Sequence, residues 1–408
     1  MTYCAELADY EWLTGAEAAE LLSDLAGRAE PLHAATTRLR KLHSAARVHL
    51  LLEQAELRLR GAAKFALSAE MFFTRLGLEQ ATDQWVAAYK AQRFADRGLV
   101  ADLCCGIGGD LLALADVGPT IGVDRDPVAA CFAAANARAV GLGDRASLQV
   151  SGIEGLDACV FAAWHIDPDR RPSGKRTTAL EWSSPSCDAV ERLLAVSPNA
   201  AIKLAPAAEP PTTWSDRCEL EWISRDRQCR QLVAWHGALA DTPGRCRATI
   251  LSTNGVALRS ITGKPNQPMS FAPELDRFLF EPDPAVLAAH LAGVLAVEHS
   301  LSAVSAGIAY LTGPSAISDP ALACFEVEEV LPLDLRQVAG YLRERRIGRL
   351  EIKKRGVEHD PATVRKQLHL AGDEAATLFL TKLGGKHAAI LARRIEQPQL
   401  ATSMSPAT

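Results

Sequence analysis

Residues able to do chemistry concentrate in two short stretches of this 408-residue chain. The first is VADLCCGIGGD, residues 100–110, an apolar run that gives way to glycines held between two carboxylates. Gly106, Gly108 and Gly109 allow a tight turn and a close backbone approach to a ligand. A turn of this kind between a strand and a helix is where an open α/β sheet binds nucleotide-like ligands. Two ligand classes compete for it. A dinucleotide fingerprint, G-x-G-x-x-G, needs a third glycine where this chain has Leu111. A pyrophosphate also needs bare N–H groups at the helix N-terminus, and Asp102 and Asp110 would repel it. The methionine part of S-adenosylmethionine carries an ammonium and a sulfonium, which the same carboxylates attract. A second strand, TIGVDRD, brings Asp124 to its end, 18 residues after Gly106, where an acid can accept both ribose hydroxyls.

The second stretch is ACVFAAWHIDPDRR, residues 158–171, with Asp167 at the end of a fourth strand. Pro168 enforces an extended exit, which turns the carboxylate into the cleft. A carboxylate there accepts a hydrogen bond from an exocyclic amine and aims its lone pair, so that rate comes from positioning. The alternative is a turn with a solvated Asp. Arg170, Arg171, Lys175 and Arg176 follow at once. They suit an anionic, phosphate-bearing substrate and equally a solvated charge run. Cys187 is an alternative nucleophile for covalent attack on a pyrimidine ring. His165 reads as a strand residue with a satisfied ring.

These residues need a scaffold, and the sequence lays one out. Residues 15–60 carry leucines at three- and four-residue steps and read as helices broken at Pro31; 69–95 reads as a further helical stretch. From residue 99 short apolar strands alternate with helices, which specifies a parallel sheet covered on both faces. After 215 three antiparallel strands follow, the first two joined at Asp226, Arg227 and Gln228. Residues 254–280 are turn-rich and 283–311 read as helix. The C-terminal stretch is a βαβαββ unit with a hairpin at Gly384 and Gly385. The expected fold is α/β, with an N-terminal helical region at 1–95, a Rossmann-like sheet domain at 96–280, a helical connector at 281–322 and a small α+β domain at 323–400.

Composition sets the remaining bounds. A chain of this length exceeds one core, and 48% hydrophobic with 23% charged residues fits a globular protein. Net charge is −5, yet residues 331–396 hold 14 Lys and Arg against 8 Asp and Glu, so any basic surface is local. Lys353, Lys354 and Arg355, with Arg343, Arg345, Arg346 and Arg349 just before them, are the expected phosphate-binding cluster. The ten cysteines form no CxxC pair or Cys/His cluster, so no metal site is expected. The acidic N-terminus lacks an export signal, and the most apolar run, 285–297, is short of the ~20 residues that cross a bilayer. Cytoplasmic localisation and no membrane partner are therefore expected.

DLCCGIGGD followed by GVDRD resembles motifs I and II of class I S-adenosylmethionine-dependent methyltransferases. Asp167-Pro168-Asp169-Arg170-Arg171 is similar to their motif IV. The resemblance implies S-adenosyl-L-methionine as cofactor, contacted by Asp102, Cys104, Gly106, Gly108, Asp110 and Asp124. It implies Asp167, Arg170 and Arg171 at the methyl acceptor. The third strand departs from the pattern, with Ser151 and Gly152 in place of an acid, so adenine contacts stay unassigned. Beyond these motifs, KFALSAEMFFTRLGLEQAT, the DPxRR segment and the basic C-terminus resemble a bacterial methyltransferase family with a THUMP-like C-terminal domain. That implies Glu79 and Gln80 near the cofactor cleft and RNA as partner. The expected activity is methylation of an RNA base nitrogen. The alternatives are a small-molecule or protein methyltransferase, and a non-catalytic protein binding S-adenosylmethionine or RNA.

Overall fold

The computed structural model describes residues 5–28, 30–169 and 184–396. They fall into two units. The first holds the described residues up to Arg225 with Arg230–Gly244 and Leu251–Ala257; the second holds Asp226–Cys229, Arg245–Ile250 and the described residues from Leu258.

Six helices open the first unit: α1 (Leu7–Leu13), α2 (Ala16–Gly27), α3 (Leu32–Leu39), α4 (Ala45–Gly61), α5 (Arg75–Gln80) and α6 (Gln84–Ala91). The helical stretch expected over 69–95 is two short helices, because Thr74 and Asp83 each cap a new N-terminus through Gly77 N and Val86 N. Then come β1 (Val100–Leu103), α7 (Leu111–Val117), β2 (Thr120–Asp124), α8 (Pro127–Ala139), β3 (Ala146–Val150), β4 (Ala163–Ile166), α9 (Cys187–Val196), β5 (Ala200–Leu204), β6 (Cys218–Arg225) and β7 (Gln228–His236). The strands of this unit run in the order β3-β2-β1-β4-β5-β7-β6. The pairs through β5 are parallel and β7 is antiparallel to β5. β1, β4 and β5 are buried at every residue, as strands covered on both faces must be. The strand order reverses between β1 and β4, and the crevice beyond their C-terminal ends is the binding position of such sheets.

The N-terminal helices share a core with the sheet's own helices. Leu13, Leu51, Leu57 and Phe73 pack in one cluster with Ile107 of the glycine-rich turn and Phe132 and Ala135 of α8. Asn136, fully buried, ties the pieces together: it accepts from Phe72 N at 2.7 Å and donates to Phe72 O at 3.0 Å and Ile107 O at 2.8 Å.

After β8 (Cys246–Leu251) and β9 (Ala257–Gly263), the second unit has β10 (Phe278–Pro282), α10 (Pro284–Ala288), α11 (Ala292–Glu298), β11 (Ser302–Ser305), β12 (Ile308–Gly313), β13 (Leu322–Pro332), α12 (Leu335–Glu344), β14 (Ile347–Lys354), α13 (Pro361–Leu368), β15 (Glu374–Leu383) and β16 (Lys386–Arg394). The order β11-β12-β10-β13-β16-β15-β14 contains the expected βαβαββ unit and extends it by three strands. The expected helical connector therefore fails over 302–313. Its helices stop at Glu298, and Gly307 at φ +69° turns β11 into β12, a hairpin whose short apolar run has no period to distinguish it from helix. The hairpin at Gly384 and Gly385 is present, both with positive φ, between β15 and β16. Helices α12 and α13 pack on β14 over a core of Val338, Leu342, Val364 and Leu368. No described helix is long and apolar enough to cross a membrane.

Candidate active site

The glycine-rich turn leaves β1 through Cys104, whose φ of +57° is a left-handed conformation rare outside glycine. Gly106 N donates to Asp124 Oδ2 at 2.8 Å, and Asp126 N donates to Asp124 Oδ1 at 2.9 Å, so one carboxylate pins the ends of β1 and β2 together. Gly106 has φ +54° and open space where a Cβ would stand. Gly109 has the opposite reason to be glycine: its Cβ would lie 3.1 Å from Thr82 O. The segment after α5 therefore lies against the turn and forms the other wall of the cleft.

That wall is held from below. Lys64 Nζ donates to the carbonyls of Leu78 (2.8 Å), Glu79 (2.8 Å) and Ala81 (2.7 Å), capping the C-terminus of α5. Burial, with Lys203 nearby, pushes the Lys64 ammonium down to about 8. Gln80 lines the cleft with Asp167 and donates weakly to Asp169 Oδ1 at 3.4 Å. Glu79 is exposed beside it.

Beneath the turn runs a buried polar chain. Thr82 Oγ1 donates to Asp110 Oδ2 at 2.6 Å, and Lys90 Nζ contacts Asp110 Oδ1 at 2.7 Å. Lys90 Nζ also lies 3.2 Å from His165 Nε2, and His165 Nδ1 is 2.7 Å from Asp102 Oδ1. Lys90 and His165 are 2% and 1% exposed. Asp102 Oδ2 is buried without a hydrogen-bond partner. Burial raises the Asp102 carboxyl above its usual range, against the opposing pull of His165 and Lys90. Burial also works against the Asp110 carboxylate, but Lys90, His165 and Lys203 outweigh it and hold Asp110 well below the usual range. The charge of Asp110 is thus met inside the protein by Lys90.

Asp167 follows β4, and Asp167 N reaches Leu103 O at 3.3 Å, continuing the β1–β4 pairing. Its Oδ2 pairs with Lys203 Nζ at 2.5 Å; Lys203, from β5, also reaches Gln80 O at 3.4 Å. Cys104 lies beside them, and burial, with Asp124 nearby, pushes its thiol up, which disfavours the thiolate. Cys187 is the first residue of α9, whose N-cap is Ser186. Arg170 and Arg171, with Lys175 and Arg176, lie outside the described residues.

The structure brings Asp102, Cys104, Gly106, Asp110 and Asp167 into one cleft lining, with Asp124 tied to Gly106. The sequence reading missed Lys90, Lys203, Thr82 and Lys64. A signal existed for two of them: Lys90 in QWVAAYKA and Lys203 in AIKLA are lone cations on otherwise apolar buried elements, which calls for a buried partner.

Residues 322–394 match the family described as THUMP domain-like. Two Mycobacterium tuberculosis proteins, from strains CDC 1551 and H37Rv, are each 31% identical over 345 residues, spanning 82% of this chain and 92% of theirs. Both are named uncharacterized S-adenosylmethionine-dependent methyltransferases. The crystal structure of a candidate methyltransferase from Porphyromonas gingivalis W83 shares the fold over 96% of this chain and 98% of its own, with TM-score 0.76 and 21% identity. On the identity and coverage of the mycobacterial relatives, this chain belongs to the S-adenosylmethionine-dependent methyltransferases.

Proposed function

We propose that the enzyme methylates a base nitrogen of RNA, with Asp167 orienting the acceptor. The observation that carries this reading is the placement of Asp167 at the end of β4, with Oδ2 on Lys203. That leaves Oδ1 to accept an N–H from an amine and to direct the nitrogen lone pair. The bound S-adenosylmethionine supplies an electrophilic methyl group. The chain's residues fit that cofactor: Gly106 is open to a ligand, Asp102 offers a buried oxygen with no partner, and each Asp124 oxygen has a lone pair left for a ribose hydroxyl. Asp124→Ala is expected to weaken S-adenosylhomocysteine binding about tenfold or more, ~1.4 kcal/mol, by calorimetry.

RNA as substrate rests on the THUMP-like match and on local charge. The cluster expected at 353–355 is largely paired within the protein. Lys353 pairs with Glu281 at 2.8 Å and Glu351 at 3.1 Å, and Arg355 lies 3.7 Å from Glu281 and over the Tyr310 ring. Lys354, and Arg336, Arg343 and Lys366 on the two helices, are exposed and suit phosphate contacts better. Arg336→Ala/Arg343→Ala/Lys366→Ala is expected to flatten the logarithmic salt dependence of single-stranded RNA binding by about 0.7 for each phosphate no longer engaged. Unchanged slopes remove RNA docking from this unit. Transfer of labelled methyl groups to total RNA, protein and metabolite fractions, followed by nucleoside analysis, decides the substrate; label confined to protein or metabolites overturns the reading.

A further inference from the structure

The carboxylates of Asp102, Asp110, Asp124 and Asp167 gather around the glycine-rich turn with two buried lysines. Lys90 pairs with Asp110 and Lys203 with Asp167. Asp102 and Asp124, the two that flank the Gly106 turn, form no ion pair with a lysine or arginine among the described residues; Asp102 meets only the His165 ring. Asp102 is the costlier of the two, being 1% exposed with one oxygen lacking any partner. A buried carboxylate with an idle oxygen is expensive unless a ligand uses it.

What holds that oxygen idle is the chain of donors below it. Lys90 has only protons to give, so its 3.2 Å contact makes His165 Nε2 an acceptor. The proton of a neutral ring must then sit on Nδ1, where it donates to Asp102 Oδ1 at 2.7 Å. Thr82 and Lys90 in turn occupy both oxygens of Asp110, which fixes the Lys90 ammonium. Along this chain one side-chain oxygen remains without a hydrogen-bond partner, Asp102 Oδ2. We propose that Lys90 and His165 are positioning residues for the cofactor: they fix Asp102 so that Oδ2 receives the ammonium of the methionine moiety. Neither residue touches the reacting atoms. The upward push on the Asp102 carboxyl agrees with a site that awaits a cation.

The test compares two ligands by calorimetry. S-adenosylhomocysteine carries the ammonium; 5′-methylthioadenosine is a similar nucleoside thioether without the amino-acid part. Two variants of His165 separate positioning from packing. His165→Asn places an amide N–H near the position of Nδ1 and can still hold Asp102, whereas His165→Gln places it near Nε2 and cannot. The parent's preference for S-adenosylhomocysteine is expected to survive within about twofold in His165→Asn and to fall about tenfold or more in His165→Gln, the worth of a hydrogen bond to a charged group. Affinity for 5′-methylthioadenosine should change little in either. Equal behaviour of the two variants, in either direction, overturns the proposal. Isotope-labelled imidazole in the parent enzyme gives an independent reading by NMR: a protonated Nδ1 with bare Nε2 is expected, and any other state of the ring overturns it, whether or not the variants fold.

Discussion

Asp167→Ala should lower turnover by ~10²-fold or more while S-adenosylhomocysteine affinity stays nearly unchanged. In the role proposed for it the carboxylate acts on the acceptor, so its loss is expected in the transition state and not in cofactor binding. The removal also takes from Lys203, whose side chain is 8% exposed, the carboxylate it pairs with at 2.5 Å. Asp167→Asn separates the two effects, since the amide keeps an accepting oxygen but not the charge. An intermediate rate for Asn indicates that hydrogen-bond acceptance carries part of the effect and charge the rest. Should Cys187→Ser abolish transfer while Asp167→Ala leaves it intact, the reaction runs through a covalent adduct and the assignment of Asp167 is wrong.

Lys90→Met is expected to destabilise the first unit by roughly 3–5 kcal/mol, read from denaturant unfolding, because it leaves the Asp110 carboxylate buried with no ammonium beside it. Lys90→Met with Asp110→Leu should recover most of that loss, since an apolar pair of similar volume replaces both charges. A single variant as stable as the parent would mean that Asp110 finds another cation, and Lys203, which already contributes to the charge around it, is the candidate.

The alternation of strands and helices and the site turn were legible because they rest on local signals. Gly106, Asp124 and Pro127 are each demanded by a backbone conformation, a hydrogen bond or a helix start within their own segment. The C-terminal βαβαββ order was legible for the same reason, since its helices have strong periodicity and its hairpin has two glycines. What stayed hidden depends on tertiary partners. The strands β11 and β12 came out of a run read as helix although it has no period that separates the two, and sheet pairing with β10 decided the matter. Lys353 and Arg355 looked like free surface charge because Glu281, far earlier in the chain, is invisible to a local count. His165 was read correctly as satisfied, but the identity of its partners, 63 and 75 residues away in sequence, carries the chemistry and could not be read locally.

The buried amide of Asn136 has a consequence for how this enzyme can be cut or varied. It bonds the backbone at Phe72 and the carbonyl of Ile107 inside the cofactor turn. A fragment begun at residue 96 would lose both of that amide's bonds to Phe72 and bare the faces of Phe132 and Ile107 that Tyr10, Phe72 and their neighbours cover. The Rossmann-like sheet of this protein is therefore not a portable cassette. Damage to Leu51 or Leu57, deep in α4 and remote from any reacting atom, should register as a loosened grip on the cofactor.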